Sequence, residues 1–399
     1  MTPEIKKRIE QIQRGEVPRG YQKRASGIVP RDWVEYSLGE IYTERKMPGD
    51  PSLPILTVSI HSGVSDGALD EDELGKSVKR IEDKTQYKTA HTGDLVFNMM
   101  RAWQGAIGVA RSDGLVSPAY IVATPEPEVY PPFMDYCFKM PQMINKIHRQ
   151  SYGVTDFRLR LYWDSFVPIR CSLPPLTEQK RIVEILSIQD KVIELKEQLL
   201  FERHRQKEDV LKELITGNRR LPGYNNRWRT VELEEVFDYI QPTPYLVQST
   251  DYSDDYQTPV LTAGKTFILG YTNERNGIYN CLPVVIFDDF TTASKFVDFP
   301  FKAKSSAMKI LKIRDGFNIV FAFEAMQLIN YTVTDHERHW ISKYSKLTIE
   351  VPELDEQDAI AQVINNLNCE ISLLQSALDQ EKEKKKALMQ LLLTGIVRV

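Results

Sequence analysis

Cysteine is scarce in this sequence: four in 399 residues, at positions 137, 171, 281 and 369, with no CxxC pair. That excludes a disulfide framework and a cysteine-built zinc site, and it suits a reducing cytoplasm. No apolar run approaches the ~18 residues of a membrane-spanning helix. The opening MTPEIKKRIEQIQRGE has no apolar core and does not read as a signal peptide. The six histidines assemble no ligand set; His336 and His339 stand three apart without a third partner. A basic excess is missing as well. The net charge is −4 and the pI about 6.0, so the global footprint of a nucleic-acid binder is absent. What the chain does have is 42% hydrophobic residues, which excludes a disordered protein and leaves room for two or three domains.

Catalytic motifs are also wanting. Ala263-Gly264-Lys265-Thr266 has the end of a phosphate loop, but Pro259 stands where the leading glycine is required. Tyr130-Pro131-Pro132-Phe133 loosely matches the aromatic tetrapeptide of amino-methyltransferases, without the polar first residue or a glycine-rich cofactor loop before it. Glu194-Leu195-Lys196 imitates a nuclease ExK but lies within a predicted long helix. No nucleophile–base pair stands out. The chain is expected to bind rather than catalyse, with no catalytic residue, metal or cofactor of its own.

Against these absences stands a repeat. Positions 174–186 read PPLTEQKRIVEIL, and 178 residues later positions 352–364 read PELDEQDAIAQVI. Solenoid periods run ~20–50 residues; this distance suits a whole domain plus a connector. At the same offset Leu176, Glu178, Gln179, Ile182, Ile193 and Leu195 match Leu354, Glu356, Gln357, Ile360, Ile371 and Leu373. Lys207, Leu214, Thr216 and Gly217 likewise match Lys385, Leu392, Thr394 and Gly395. A gap-free match over roughly 40 positions implies one rigid helix per copy, because loops accept insertions and helix registers do not.

Each copy carries helix punctuation. Thr177 and Asp355 are the expected N-caps, Glu178 and Glu356 put negative charge in the first turn, and Gly217 and Gly395 suit the position after the last turn. Leu186, Ile193, Leu200 and Leu214 form a heptad seam in the first copy. In the second, Ile360, Leu367, Leu374 and Leu388 form one row, and Ile364, Ile371, Leu378 and Leu392 another. Arg203 and Lys207, then Glu381 and Lys385, interrupt the two copies at matching places. Helices of ~40 residues are ~60 Å long and are expected to pair as a coiled coil.

Weaker echoes lie outside the helices. Trp33, Leu38, Glu40 and Ile41 return as Trp228, Leu233, Glu235 and Val236; PILTV at 54–58 as PVLTA at 259–263; YGVTD at 152–156 as YTVTD at 331–335. Ile9, Ile12, Gly15, Pro18, Gly20 and Tyr21 resemble Leu211, Leu214, Gly217, Pro222, Gly223 and Tyr224, so the opening helix reads as the distal end of a repeat and the chain as a circle opened at one point. The expected order is an N-terminal helix over 1–20 that completes the repeat, a variable domain over 21–172, a spacer helix over 173–217, a second variable domain over 218–350, and a second spacer helix over 351–399. The fold class is α+β: two α/β domains separated by two long antiparallel coiled-coil helices, with internal pseudo-two-fold duplication. LPVVIF at 282–287 and GLVSPAYIVATP at 114–125 predict strands within the domains.

Locally the charge turns basic. Lys146, His148, Arg149, Arg158 and Arg160 fall within KIHRQSYGVTDFRLRLYW, among Tyr152, Phe157, Tyr162 and Trp163. That mix supplies phosphate contacts and polar tips for base edges, and equally describes a basic amphipathic segment with its aromatics in a core. NMMRAWQGAIG at 98–108 holds Asn98, Arg101 and Gln104; Arg and Gln make bidentate contacts to guanine and adenine. In the second domain KFVDFPFKAK alternates Lys295, Lys302 and Lys304 with Phe296, Phe299 and Phe301, which is also the pattern of a half-buried strand. Lys265, Tyr331 and Arg338 complete the candidate DNA-binding set.

Paired PxL(T/D)EQ helix openings, long helices ending in TG, and two dissimilar domains between them resemble the specificity subunit of type I DNA restriction–modification systems. GDLVFN at 93–98, SPAY at 117–120 and FDDFT at 287–291 are similar to stretches in the target-recognition domains of that family. The resemblance covers nearly the whole chain. It implies that each variable domain is a target-recognition domain reading one half of a bipartite double-stranded DNA site, with the long helices as the ruler between halves. It further implies docking of two methyltransferase subunits, which carry S-adenosylmethionine, and of restriction subunits that use ATP and Mg, in a cytoplasmic complex with no membrane partner. Glu178, Gln179, Ile182, Glu356, Gln357 and Ile360 are then the expected partner interface on the spacer helices. The rival reading is a coiled-coil scaffold whose globules bind proteins; it gives no reason for two different domains on one duplicated frame.

Overall fold

A computed structural model describes residues 2–60, 63–65, 83–154, 158–262, 264, 266–333 and 339–399. They form two compact units: Met1–Leu195 with Leu378–Val399, and Lys196–Ala377. Two helices of 40 residues each, Leu176–Ile215 and Leu354–Leu393, each contribute one segment to each unit. Both begin one residue before the expected caps, so Thr177 and Asp355 sit inside the first turn.

The first unit has six strands that matter here: β1 (Val34–Ser37), β2 (Tyr42–Arg45), β3 (Leu95–Asn98), β4 (Ile107–Val109), β5 (Tyr120–Pro125) and β6 (Arg170–Leu173). The second repeats them as β7 (Arg229–Glu232), β8 (Phe237–Ile240), β9 (Val284–Asp288), β10 (Ser294–Val297), β11 (Met308–Ile313) and β12 (Thr348–Val351). Each unit builds one antiparallel four-stranded sheet in the same order, β2-β5-β3-β4 and β8-β11-β9-β10.

The central strands are apolar on both faces because both faces are covered. Leu95 and Phe97 of β3 pack with Phe133, Phe166 and the long-helix residues Ile182 and Leu186, while Val96 packs with Leu56, Val58 and Val64 in a second small layer. In β9, Val285 and Phe287 share a core with Phe321 and Ile360, and Val284 and Ile286 face Leu261, Tyr279 and Phe301. The predicted strand at 282–287 is β9. The one predicted over 114–125 is two strands, Gly114–Val116 and β5. Pro118 lies between them and cannot donate to a ladder.

Each long helix is joined to its unit by the Glu-Gln pair at its start. Trp33 Nε1 donates to Glu178 Oε2 at 3.2 Å, and Trp228 Nε1 donates to Glu356 Oε2 at 3.2 Å. Arg398 donates to both Glu178 oxygens at 2.6 and 2.8 Å; Arg220 does the same to Glu356, at 2.6 Å twice. The adjacent amides work as splints. Gln179 accepts from Tyr130 N–H and donates to Pro174 O, while Gln357 accepts from Asn318 N–H and donates to Pro352 O. Those bonds fix the starts of the domain helices Pro131–Phe138 and Ile319–Gln327 against the long helices. The N-terminal helix Pro3–Gln13 and the strand after it bind the far end of the second long helix: Arg8 donates to Ile396 O at 2.5 Å, and Tyr21 OH to Gly395 O at 2.7 Å.

Covered positions on the first long helix include 182, 186, 189, 193, 196, 200, 203, 207, 210 and 214; on the second they include 360, 364, 367, 371, 374, 378, 381, 385, 388 and 392. Steps of four and three alternate throughout, which is the period of a coiled coil. In the first unit Ile182 and Leu186 share a core with Leu392 and Leu393, and further along Asp190 pairs with Lys385 at 2.5 Å and Gln189 Nε2 donates to Glu381 at 2.8 Å. In the second, Arg203 pairs with Glu370 at 3.1 Å, and Leu211 and Leu214 share a core with Ile360 and Ile364. Numbers rise on one helix as they fall on the other, so within each unit the helices run antiparallel.

Candidate nucleic-acid interface

Three segments of the first unit converge on one surface: the loop after β3, the helix Pro141–Gln150, and the described residues 152–154 and 158–162. Leu161 N–H donates to Met99 O at 2.8 Å, tying the third segment to the loop. The Trp103 and His148 rings lie 5.5 Å apart, tying the helix to it. Tyr152 and Arg160 exchange backbone hydrogen bonds at 3.1 and 3.0 Å, and the Tyr152 ring stacks on Tyr162 at 5.0 Å. On this platform Arg101, Gln104, Arg149, Arg158 and Arg160 are exposed, and Tyr152 is 59% exposed. Only one acidic residue, Asp156, occurs in the sequence between 98–112 and 136–163 combined. A patch of arginines with an exposed ring suits a phosphate backbone and its bases.

Other candidates are committed elsewhere. Asn98 is buried at the end of β3, its Oδ1 accepting from Met100 N–H at 3.0 Å. Lys146 turns inward from the helix and donates to Arg170 O at 2.9 Å; burial holds its amine below the ordinary lysine range. Lys302 is 2% exposed, paired with Glu274 at 3.0 Å and donating to Asn276 O at 2.5 Å, so it is a structural lysine and not a phosphate ligand. The expected alternation of Lys295 and Lys302 breaks because β10 ends at Val297 and a separate strand holds Lys302 and Ala303. Lys304 is half-buried and donates to Tyr252 OH at 3.2 Å. Tyr331 points inward, its OH 3.1 Å from His339 Nδ1. Lys295 alone of these is exposed on the second unit's sheet edge. Lys265 and Arg338 lie outside the described residues.

The six residues expected to meet partner subunits are also redirected. Glu178, Gln179, Ile182, Glu356, Gln357 and Ile360 are all at most 5% exposed. They make the joints and seams described above and present no face to a partner. Leucines matched by the repeat are exposed in both copies: Leu176 and Leu354, and Leu195 and Leu373. Two further exposed apolar residues, Met100 and Phe290, were invisible to local pattern reading. Their signal was the shared LVFN and VIFD ending of β3 and β9, each followed two residues later by a large apolar side chain.

No group of three or more His, Cys, Asp or Glu side chains suited to a metal ion occurs among the described residues. A cavity of about 360 Å3 in the first unit is lined by Trp33, Met143, Lys146, Cys171 and Leu393, among others. Burial pushes the Cys171 thiol up to about 12, so it is protonated at neutral pH, and the neighbouring amine is occupied by a carbonyl. Among the described residues no helix is long and apolar enough to cross a membrane.

The duplicated frame, in which each unit joins an antiparallel sheet domain to the start of a long helix by the same Glu-Gln joint, is shared with HsdS-type subunits. The chain shares it with an HsdS subunit from Thermoanaerobacter tengcongensis (TM-score 0.50, 18% identity, 94% of this chain and all of that one). It also shares it with a type I restriction–modification S subunit from M. genitalium (TM-score 0.56, 12% identity, covering 90% and 96%). A chain from a structure of complex assembly in the type I R-M system aligns at TM-score 0.57 and 17% identity, covering 92% and 99%. In sequence, the chain is similar to the type I restriction enzyme EcoR124I/EcoR124II specificity subunit of Escherichia coli, 43% identical over 177 residues. That match spans 41% of this chain and 43% of the relative's length. The putative type I restriction enzyme MjaX specificity subunit of Methanocaldococcus jannaschii is 23% identical over 441 aligned residues, 95% of this chain and 97% of that one. No protein-family model matches. Both the fold and the named relatives are those of type I restriction–modification specificity subunits.

Proposed function

We propose that this chain is the DNA sequence-specificity subunit of a type I restriction–modification complex. One observation carries the reading: two domains that share sheet order and joints yet differ in surface are fixed to one duplicated helical frame. A single ligand would need one domain; two unlike half-sites need two. Each domain reads one half of a bipartite duplex site, the first through Arg101, Gln104, Arg149, Tyr152, Arg158 and Arg160, the second through a surface that includes Lys295. The long helices set the distance between halves. Half-sites one DNA turn apart, ~34 Å, lie within the reach of helices ~60 Å long.

The chain itself supplies recognition and no chemistry. Two methyltransferase subunits bring S-adenosylmethionine, and restriction subunits bring ATP and Mg, to a cytoplasmic assembly. The repeated exposed leucines support docking of two copies of one partner, because each copy finds the same residues at equivalent places.

The test is the methylome of cells expressing the chain with its methyltransferase partner. A single split motif, modified on both strands and lost when the chain is omitted, is the expected result. An assembled complex that yields no motif would sink the reading.

A further inference from the structure

Turns at matching places in the two units share one construction. In the first, β3 ends at Asn98, whose Oδ1 accepts from Met100 N–H at 3.0 Å; in the second, β9 ends at Asp288, whose Oδ1 accepts from Phe290 N–H at 3.0 Å. Asn98 N–H donates to Ala106 O at 3.0 Å and Asp288 N–H to Ala293 O at 2.8 Å, closing each turn. The residue between is pinned as well. Met99 O accepts from Leu161 N–H at 2.8 Å, and Asp289 O accepts from His339 N–H at 3.0 Å. Leu161 and His339 are themselves related by the 178-residue offset.

Each of these held turns presents a large apolar side chain to water: Met100 is 47% exposed and Phe290 40%. Each thus leaves two-fifths or more of its apolar surface uncovered, on a turn whose backbone is held in place. The second turn even keeps Thr292 at φ 59°, a left-handed conformation that is costly for a β-branched residue. A buried ion pair, Lys309 with Asp289 at 3.3 Å, anchors it. The neighbours of the tips are those of a polyanion site. Arg101 and Gln104 extend from the same loop as Met100, the exposed arginines of 149–160 lie on segments bonded or packed against that loop, and Lys295 follows Phe290 on β10. Methionine and phenylalanine are among the side chains that wedge between base steps.

We propose that Met100 and Phe290 are equivalent apolar wedges, one per half-site, which press into the base stack of duplex DNA and add specificity through the deformability of the step they enter. The inference rests on the DNA-reading role above. It assigns contacts the polar residues cannot make, because a wedge reads how readily a step opens and not its hydrogen-bonding edge.

The experiment uses the full chain in complex with its methyltransferase subunits, on duplexes carrying the methylome-defined site with 2-aminopurine placed at successive steps. The unsubstituted complex should brighten the probe at one step in each half-site. Met100→Ala should abolish the signal in one half only, and Phe290→Ala in the other. Each should lower specific affinity about tenfold, leaving the salt dependence unchanged because an apolar group releases no counterion. Met100→Leu and Phe290→Leu should retain most of the signal, which separates loss of the wedge from collapse of the turn. Unchanged fluorescence and affinity in both alanine variants would overturn the wedge while leaving recognition standing. A complex without any site-specific binding would overturn both.

Discussion

Arg398 grips Glu178 across 220 residues of sequence, and the pair has the same geometry as Arg220 on Glu356. In both cases the guanidinium takes both carboxylate oxygens while a tryptophan indole donates to one of them. The glutamates are buried and the arginines half-exposed. Removing the cation leaves a buried anion with only an indole donor. Arg220→Ala and Arg398→Ala should therefore each cost about 3 kcal/mol, read as a lowered denaturant midpoint. Glu356→Gln should cost less, since it removes the buried charge as well. A loss below 0.5 kcal/mol on a ~3 kcal/mol expectation would mean that solvent replaces the arginine.

The two joints differ in one acidic group, and this gives a pH dependence. Arg398 also donates to both oxygens of Asp32, at 2.8 and 2.6 Å, whereas the matching position in the second unit is Arg227. The hydrogen bonds from Arg398 hold the Asp32 carboxyl below its ordinary range. A carboxyl depressed in the folded state contributes stability above its unfolded value, near 4, and loses it as pH falls through the folded value. Asp32→Asn should hence lower the stability of the first unit at pH 6 and reduce its sensitivity to acid below pH ~4. Parallel acid unfolding curves for the variant and the unsubstituted chain would refute this coupling.

The repeat itself was legible in the sequence because helix registers tolerate no gaps, and the heptad rows at Ile360–Leu388 and Ile364–Leu392 are the covered faces found in the structure. The strand β9 was legible as an uninterrupted apolar run. The use of Glu178 and Gln179 was not. Locally they read as first-turn charge or docking surface, while their partners Trp33, Arg398 and Tyr130 lie 49 to 220 residues away. Which of the candidate DNA-binding residues are exposed was legible only in part, for a similar reason. Lys302 and Lys295 look alike in sequence, and only strand placement buries one beside Glu274 and exposes the other.

Leu195 and Leu373 are exposed at matching places on the two long helices. Neither packs in a seam, so an acidic substitution should leave folding within ±0.5 kcal/mol. We expect Leu195→Asp and Leu373→Asp each to weaken capture of one methyltransferase copy, and the double variant to prevent two-copy assembly, measured by mass photometry. Full two-copy assembly by the double variant would place the docking face elsewhere.

The antiparallel seam constrains how the spacing of the half-sites can be changed. Adding residues to one long helix alone, or in a number that is not a multiple of seven, would turn seam residues such as Leu186 and Leu378 out of the pair. Seven residues inserted in both helices, after Leu195 and after Ala377, keep every heptad in register at the boundaries between the compact units. That insertion lengthens each helix by about 10.5 Å, equivalent to about three base pairs at 3.4 Å each. The methylome of cells carrying this variant should therefore show the same two half-site sequences with a gap wider by about three base pairs. An unchanged gap with intact modification would show that the helices do not set the spacing.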